Sequence, residues 1–156
     1  MGYLVSRPLT VVLDVLAWGV VHASTGYLVH RVAARRFERD WWVHRTRAAE
    51  RTFHERVLRI KRWKRWLPEA GGLFAGGFDK RVLAARDRGY LDAYRRETRR
   101  AELGHWLAAA AAPLFVLWNP PWVAALMVVY AVIANGPCIA AQRYNRLRLD
   151  RVLARR

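Results

Sequence analysis

The sequence lacks most of what small enzymes build their chemistry on. It carries one cysteine, Cys138, in 156 residues, so no intrachain disulfide framework can form. No phosphate-cradling glycine loop, serine elbow or metal-ligand spacing is present, and His22, His30, His44 and His54 are scattered, so neither a metal nor a bound cofactor is expected. Acidic residues are scarce: 12 Asp or Glu stand against 28 Lys or Arg, a formal net charge of +16. Such an excess leaves nucleic acid, an anionic membrane surface or an acidic small ligand as partners. A disordered basic tail is excluded, because 54% of the residues are hydrophobic and eight are Trp. The length allows about one domain.

The most informative absence is local. From Leu103 to Gln142 there are 40 residues without one Asp, Glu, Lys or Arg, and a water-soluble helix cannot keep a polar face that way. Asn119, Pro120, Pro121 and Trp122 interrupt the tract, since proline removes backbone donors and Asn favours a turn. The tract therefore reads as a hairpin with arms at 103–118 and 122–142, of 16 and 21 residues. The second matches the roughly 20 residues needed to cross hydrocarbon, and the first is marginal. Trp106, Trp118 and Trp122 fall near the arm ends, where amphipathic rings settle at headgroup level.

A further apolar segment, 8–29, is long enough to span and carries only Asp14 as a charged side chain. A cleavable signal is the alternative, with Val21, His22, Ala23 and Ser24 as the mimic of a cleavage site, but Arg7 alone makes a weak n-region. The expectation is an all-α integral membrane protein with three transmembrane helices, one N-terminal span plus a C-terminal hairpin. Between them, 35–102 holds 20 Lys or Arg and 10 Asp or Glu, and 143–156 holds six and one. Positive-inside bias puts both basic regions in the cytoplasm, with the N-terminus outside and the C-terminus inside. In the central region Leu58, Trp63, Trp66 and Leu67 interleave with Arg59, Lys61, Arg62, Lys64 and Arg65 up to Pro68. This basic amphipathic stretch suits an anionic leaflet. Stacking on bases is the rival reading, and flanking spans favour the membrane, so no nucleic-acid partner is expected. Gly71, Gly72, Gly76 and Gly77 mark a flexible loop before a charged helical pattern over 80–100.

Glu102 and His105 share a helical face at the hairpin mouth, so a carboxylate there can orient an imidazole as general base. An interfacial histidine beside a solvated carboxylate satisfies the same spacing. After the last span come Gln142, Arg143, Tyr144, Asn145 and Arg146, cations and amides suited to phosphate or oxyanion binding, or to stopping transfer and snorkelling. Arg99, Arg100 and Glu97 are placed to face that run across the mouth. Asp14, Trp18 and His22 form one stripe on the first span, with Asp14 either functional or bonded to the hairpin for packing. Cys138 reads as a small packing residue, having no charged neighbour to activate it.

Three blocks taken together resemble a known family: Ile60-Lys61-Arg62-Trp63-Lys64 with Leu67-Pro68; Glu97 to Leu103 with His105-Trp106; and Tyr130 to Asn135 with Pro137, leading into Gln142-Arg143-Tyr144-Asn145-Arg146 and Arg148-Leu149. The pattern is similar to the glycosyl-4,4'-diaponeurosporenoate acyltransferases. Leu147 stands where that family usually has Pro, and the first 57 residues match only as an apolar span and a polar connection. The resemblance implies a cell-membrane acyltransferase that esterifies a sugar hydroxyl of a lipophilic glycosylated carotenoid, with a fatty acyl thioester as co-substrate. On matching motif positions, His105 and Glu102 are the catalytic candidates, and Arg143, Asn145, Tyr144, Arg100, Gln142, Trp63 and Lys64 the substrate-binding ones. The basic stretch near Trp63 would attract an anionic acyl donor. A non-catalytic membrane scaffold and a membrane-tethered nucleic-acid binder are the rival classes.

Overall fold

The computed structural model describes residues 7–67, 85 and 87–155, and among these every regular element is helical. The glycine-rich stretch around 71–77 lies outside the described residues. Five α-helices follow in order: α1 (Arg7–Arg31), α2 (Ala48–Thr52), α3 (Ile60–Trp63), α4 (Arg88–Ala110) and α5 (Pro121–Ala154), joined by short 3-10 turns and one π turn.

Helix α1 carries the N-terminal apolar segment. Its stripe of Asp14, Trp18 and His22 turns toward the hairpin, with Trp18 stacked on Phe115 at 4.7 Å between ring centres and its Nε1 donating to Met127 Sδ at 3.3 Å. The rest of α1 is turned outward, including Val11, Val15, Leu16 and Val20, all more than half exposed. An apolar face of this kind is stable only against lipid or a partner. Two helices, Pro8–Arg31 and Pro121–Ala154, are long and apolar enough to cross a membrane. Gly104 lets α1 and α4 approach, since a Cβ there would meet Val29 Cγ2 at 3.3 Å.

The two hairpin arms are built differently. Asp87 caps α4 by accepting from Tyr90 N at 2.9 Å, and the helix runs through the start of the charge-free tract without a break. It stops at Ala110, and Ala112–Leu117 continue as a 3-10 helix with Pro113 near its start. From Leu103 onward this arm rises about 25 Å, short of a full hydrocarbon core. Helix α5 begins with Pro121 at its first position, where a missing N–H costs nothing, and continues for 34 residues, about 51 Å. It therefore absorbs residues 143–154 of the basic region, expected from the sequence as a separate tail over 143–156, into the same rod. That extension is not a snorkelling fringe: Tyr144, Arg146 and Leu149 are buried.

Candidate active site

The extension of α5 meets α4 around one carboxylate. Glu102 is fully buried; its Oε1 accepts from Arg143 Nη1 at 2.8 Å and Trp106 Nε1 at 3.3 Å, and its Oε2 lies 2.6 Å from Arg146 Nη1. Arg143 and Arg146 stand three residues apart, one turn of α5, so both reach the same anion. Arg146 is itself fully buried and donates from Nη2 to the His44 carbonyl at 2.8 Å. The second counter-charge is Glu50, which caps α2 by accepting from Arg47 N at 3.0 Å and receives Arg143 Nε at 3.1 Å. Two guanidinium groups and two carboxylates thus neutralise one another, as a buried cluster requires.

Every N–H of Arg143 is engaged. Nε and one Nη2 hydrogen go to Glu50, the other Nη2 hydrogen to Arg45 O at 2.7 Å, and the Nη1 pair to Val43 O and Glu102. Arg143 can therefore supply charge and rigidity to this site, with no donor left over for a substrate oxygen. Below the cluster His44 is fully buried and its ring nitrogens find no hydrogen-bond partner among the described residues. Burial pushes its pKa below the ordinary 6.5, a pull that Glu102 opposes only in part and Arg146 reinforces.

Glu102 is thus committed to arginines and an indole, and His105 takes a different orienting partner. His105 Nδ1 is 3.0 Å from Asn135 Oδ1, and Asn135 Nδ2 donates to Ala131 O at 3.0 Å. That second bond fixes the amide, so Nδ1 of His105 carries the hydrogen and Nε2 the basic lone pair. The expected carboxylate–imidazole arrangement is replaced by an amide–imidazole one, because the two arginines on α5 outcompete a neutral ring for the buried anion.

The remaining sequence candidates divide by helix face. Tyr144 and Asn145 point to the 55–64 segment: Tyr144 OH donates to Glu55 Oε1 at 3.1 Å, and Lys64 Nζ donates to Asn145 Oδ1 at 2.9 Å while lying 5.3 Å from the Tyr144 ring centre. Against desolvation, the hydrogen bond from Tyr144, with Lys61 and Arg51 nearby, holds the Glu55 carboxyl below its ordinary pKa. Trp63 is half-buried against this face, its Nε1 donating to Leu58 O at 2.7 Å, and the exposed edge of the stretch shows Lys61, Arg62, Arg65 and Trp66. Gln142 is buried in α5. Arg100 does not join the cluster: it pairs with Glu97 at 2.5 Å and donates to Val32 O at 3.3 Å, while Arg99 holds Asp40 at 2.6 Å. Arg100 is two residues from Glu102, about 200° around the helix, which turns it to the segment after α1 instead.

A groove of about 470 Å³ opens beside the ion cluster, between α4, α5 and the 50–58 segment. Its polar end holds Glu50, His54 and Arg143, Asn135 stands about 12 Å farther along α5, and the other walls are apolar. His54 was not anticipated from the sequence. It lies on the π turn Phe53–Val57, closed by Leu58 N donating to Phe53 O at 3.1 Å, and turns of that kind recur at functional sites. Its Nδ1 donates to Glu50 O at 2.6 Å, which leaves Nε2 as its basic nitrogen. Among the described residues no cluster of three metal-ligating side chains forms.

A family model described as glycosyl-4,4'-diaponeurosporenoate acyltransferase matches residues 34–155. The protein of that name in Staphylococcus haemolyticus (strain JCSC1435) is 36% identical over 95 residues, 61% of this chain and 55% of that relative. The alignment thus spans about half of that relative's length. The Staphylococcus aureus (strain USA300) protein of the same name is 29% identical over 138 residues, covering 87% of this chain and 83% of its own. No solved structure matches the chain.

Proposed function

The chain belongs to the glycosyl-4,4'-diaponeurosporenoate acyltransferase family, and from that premise we propose that it is a membrane enzyme esterifying a sugar hydroxyl of a glycosylated carotenoid with a fatty acyl group. The donor is an acyl thioester. The chain crosses the bilayer three times, N-terminus outside and C-terminus in the cytoplasm, so that the groove and its ion cluster open at the inner surface. A polyene and an acyl tail then reach the site through hydrocarbon, while the sugar and the thioester arrive from the interface.

The observation that carries this reading is the His105–Asn135 pair beside an apolar groove whose polar end is closed by a neutral ion cluster. In the reaction His105 Nε2 takes the hydroxyl proton as the new C–O bond forms. The imidazolium then returns that proton to the thiolate as the C–S bond breaks. Asn135 spends one amide hydrogen on Ala131 O, and its second is the donor we assign to the carbonyl oxygen, where charge develops. Glu102, Arg143 and Arg146 hold α4 and α5 in register for that geometry. The exposed Lys61, Arg62 and Arg65 supply the field that draws an anionic donor.

A second reading of the proton acceptor is favoured by the lining of the groove, which includes His54 directly. Purified protein in liposomes, given an acyl thioester and a glycosylated carotenoid, tests both by mass spectrometry of the ester. His105→Ala should lower the rate about 10²- to 10⁴-fold. Normal turnover in that variant with loss in His54→Ala would transfer the role to His54. A scaffold would leave ester formation at background in the wild type.

A further inference from the structure

The groove has one polar end and one apolar length, which selects an occupant with one polar head and one tail. Its walls on α5 run from Arg143 to Ala131, twelve residues or about 18 Å of helix. Half of a bilayer's hydrocarbon core is about 15 Å, so the groove is as long as one leaflet's acyl chain and shorter than a rigid polyene that crosses both leaflets. Its volume of about 470 Å³ suits a single such chain.

At the polar end one group waits for a ligand. His54 is only 5% exposed and lines the groove; its Nδ1 is anchored on Glu50 O, and Nε2 has no hydrogen-bond partner among the described residues. Unlike the His44 nitrogens, Nε2 of His54 is not sealed from the groove, so a bound group can take the place of water there. Partway along the apolar length stands Gly136. A Cβ built there meets nothing within 4 Å, so the glycine is not required by neighbouring packing, and glycine inside a helix costs about 1 kcal/mol relative to Ala. What the missing side chain leaves is room in the groove. Gly136 is seven residues from Arg143, about 10 Å, so a large side chain there would leave only the outer half of the groove open.

We propose that this groove binds the fatty acyl tail of the donor, with the carbonyl end at His54 and Gly136 setting how long a tail is accepted. This rests on the acyltransferase reading with His54 as proton acceptor, the second of the two given above, because a carbonyl held by Asn135 beside His105 would put the reacting end next to Gly136. The full chain in liposomes, offered a mixture of short-, medium- and long-chain acyl thioesters, reads the length preference as the product profile by mass spectrometry. Gly136→Leu, which keeps or improves the helix, should lower the long-to-short product ratio by at least about tenfold while turnover of the shortest donor is kept. An unchanged profile in an active variant overturns the proposal. A photoreactive long-chain fatty acid gives a readout independent of turnover. It should cross-link to the 131–143 stretch of the wild type and lose that cross-link in Gly136→Leu. Retained labelling, or labelling elsewhere only, would sink the groove assignment even if esterification is confirmed, whereas wild-type labelling without ester formation would sink the acyltransferase reading alone.

Discussion

Among the described residues two carboxylates are buried, and they are satisfied in opposite ways. Near the start of α1, Asp14 is 8% exposed, and its Oδ1 accepts from Trp118 Nε1 and Asn119 Nδ2, each at 2.8 Å. Both donors are neutral. On α4, Glu102 is completely buried and lies within 2.8 Å of two guanidinium groups. Neutral donors suffice where the task is to pin one helix to a hairpin turn, because removing the charge would leave the same hydrogen bonds in place. A pair of buried arginines cannot be treated so, since each is itself an expensive charge that needs its counter-ion. The first arrangement is a fastener, and the second organises the polar end of a groove.

Isosteric neutral substitutions sharpen this contrast, and the largest effect is expected at α4. Glu102→Gln leaves Arg143 with Glu50 alone and takes from Arg146 its carboxylate partner, and breaking a buried pair by removing one partner costs about 3–5 kcal/mol. Thermal unfolding in detergent should show that loss, with ester formation near background; unchanged stability would mean that the cluster is solvated.

A smaller effect is expected from pH. His44 lies beside the cluster with Glu102, Arg146, Asp40 and Arg99 acting on it, and burial lowers its pKa below 6.5 in the folded chain. The unfolded chain therefore takes up this proton at higher pH than the folded one. Stability is fully present above about 6.5 and falls as pH drops below it toward the folded value. Comparing melting temperatures at about pH 7.5 and about pH 5 should show a smaller decline in His44→Phe than in the wild type. An equal decline would assign the acid sensitivity to other groups. The smallest effect is expected at the other end of the comparison. Asp14→Asn keeps the acceptor oxygen and should cost under about 1 kcal/mol, whereas Asp14→Ala leaves Asn119 and Trp118 unpaired and should cost about 1–3. A loss in Asp14→Asn as large as that in Glu102→Gln would erase the distinction between the two sites.

Much of this was legible along the chain. The family resemblance carried by the Ile60, Glu97 and Tyr130 blocks agrees with the family match over 34–155. Both helices able to cross a membrane were visible as apolar segments. Asp14 bonds to the hairpin turn, the contact that the packing alternative for its i, i+4 stripe with Trp18 requires. The site was harder. Glu102 and His105 do share a stretch of α4, yet spacing within one helix says nothing about which groups on another helix compete for a carboxylate. Arg146 had a usable signal, three residues after Arg143 on a continuing helix, but read as a tail it looked like part of a fringe. Glu50 and His54 had none: both sit in a charged stretch without periodicity, and a π turn leaves no mark in composition.

Charge order and hydropathy are properties of neighbouring residues, so the all-helical character, the apolar segments and the basic flanks followed from the amino-acid order alone. Partner choice is a contest between groups separated by 30 to 93 residues, as for His105 with Asn135 and Glu50 with Arg143. That contest is decided only when packing brings the strongest opposite charges within bonding distance and buries them away from water.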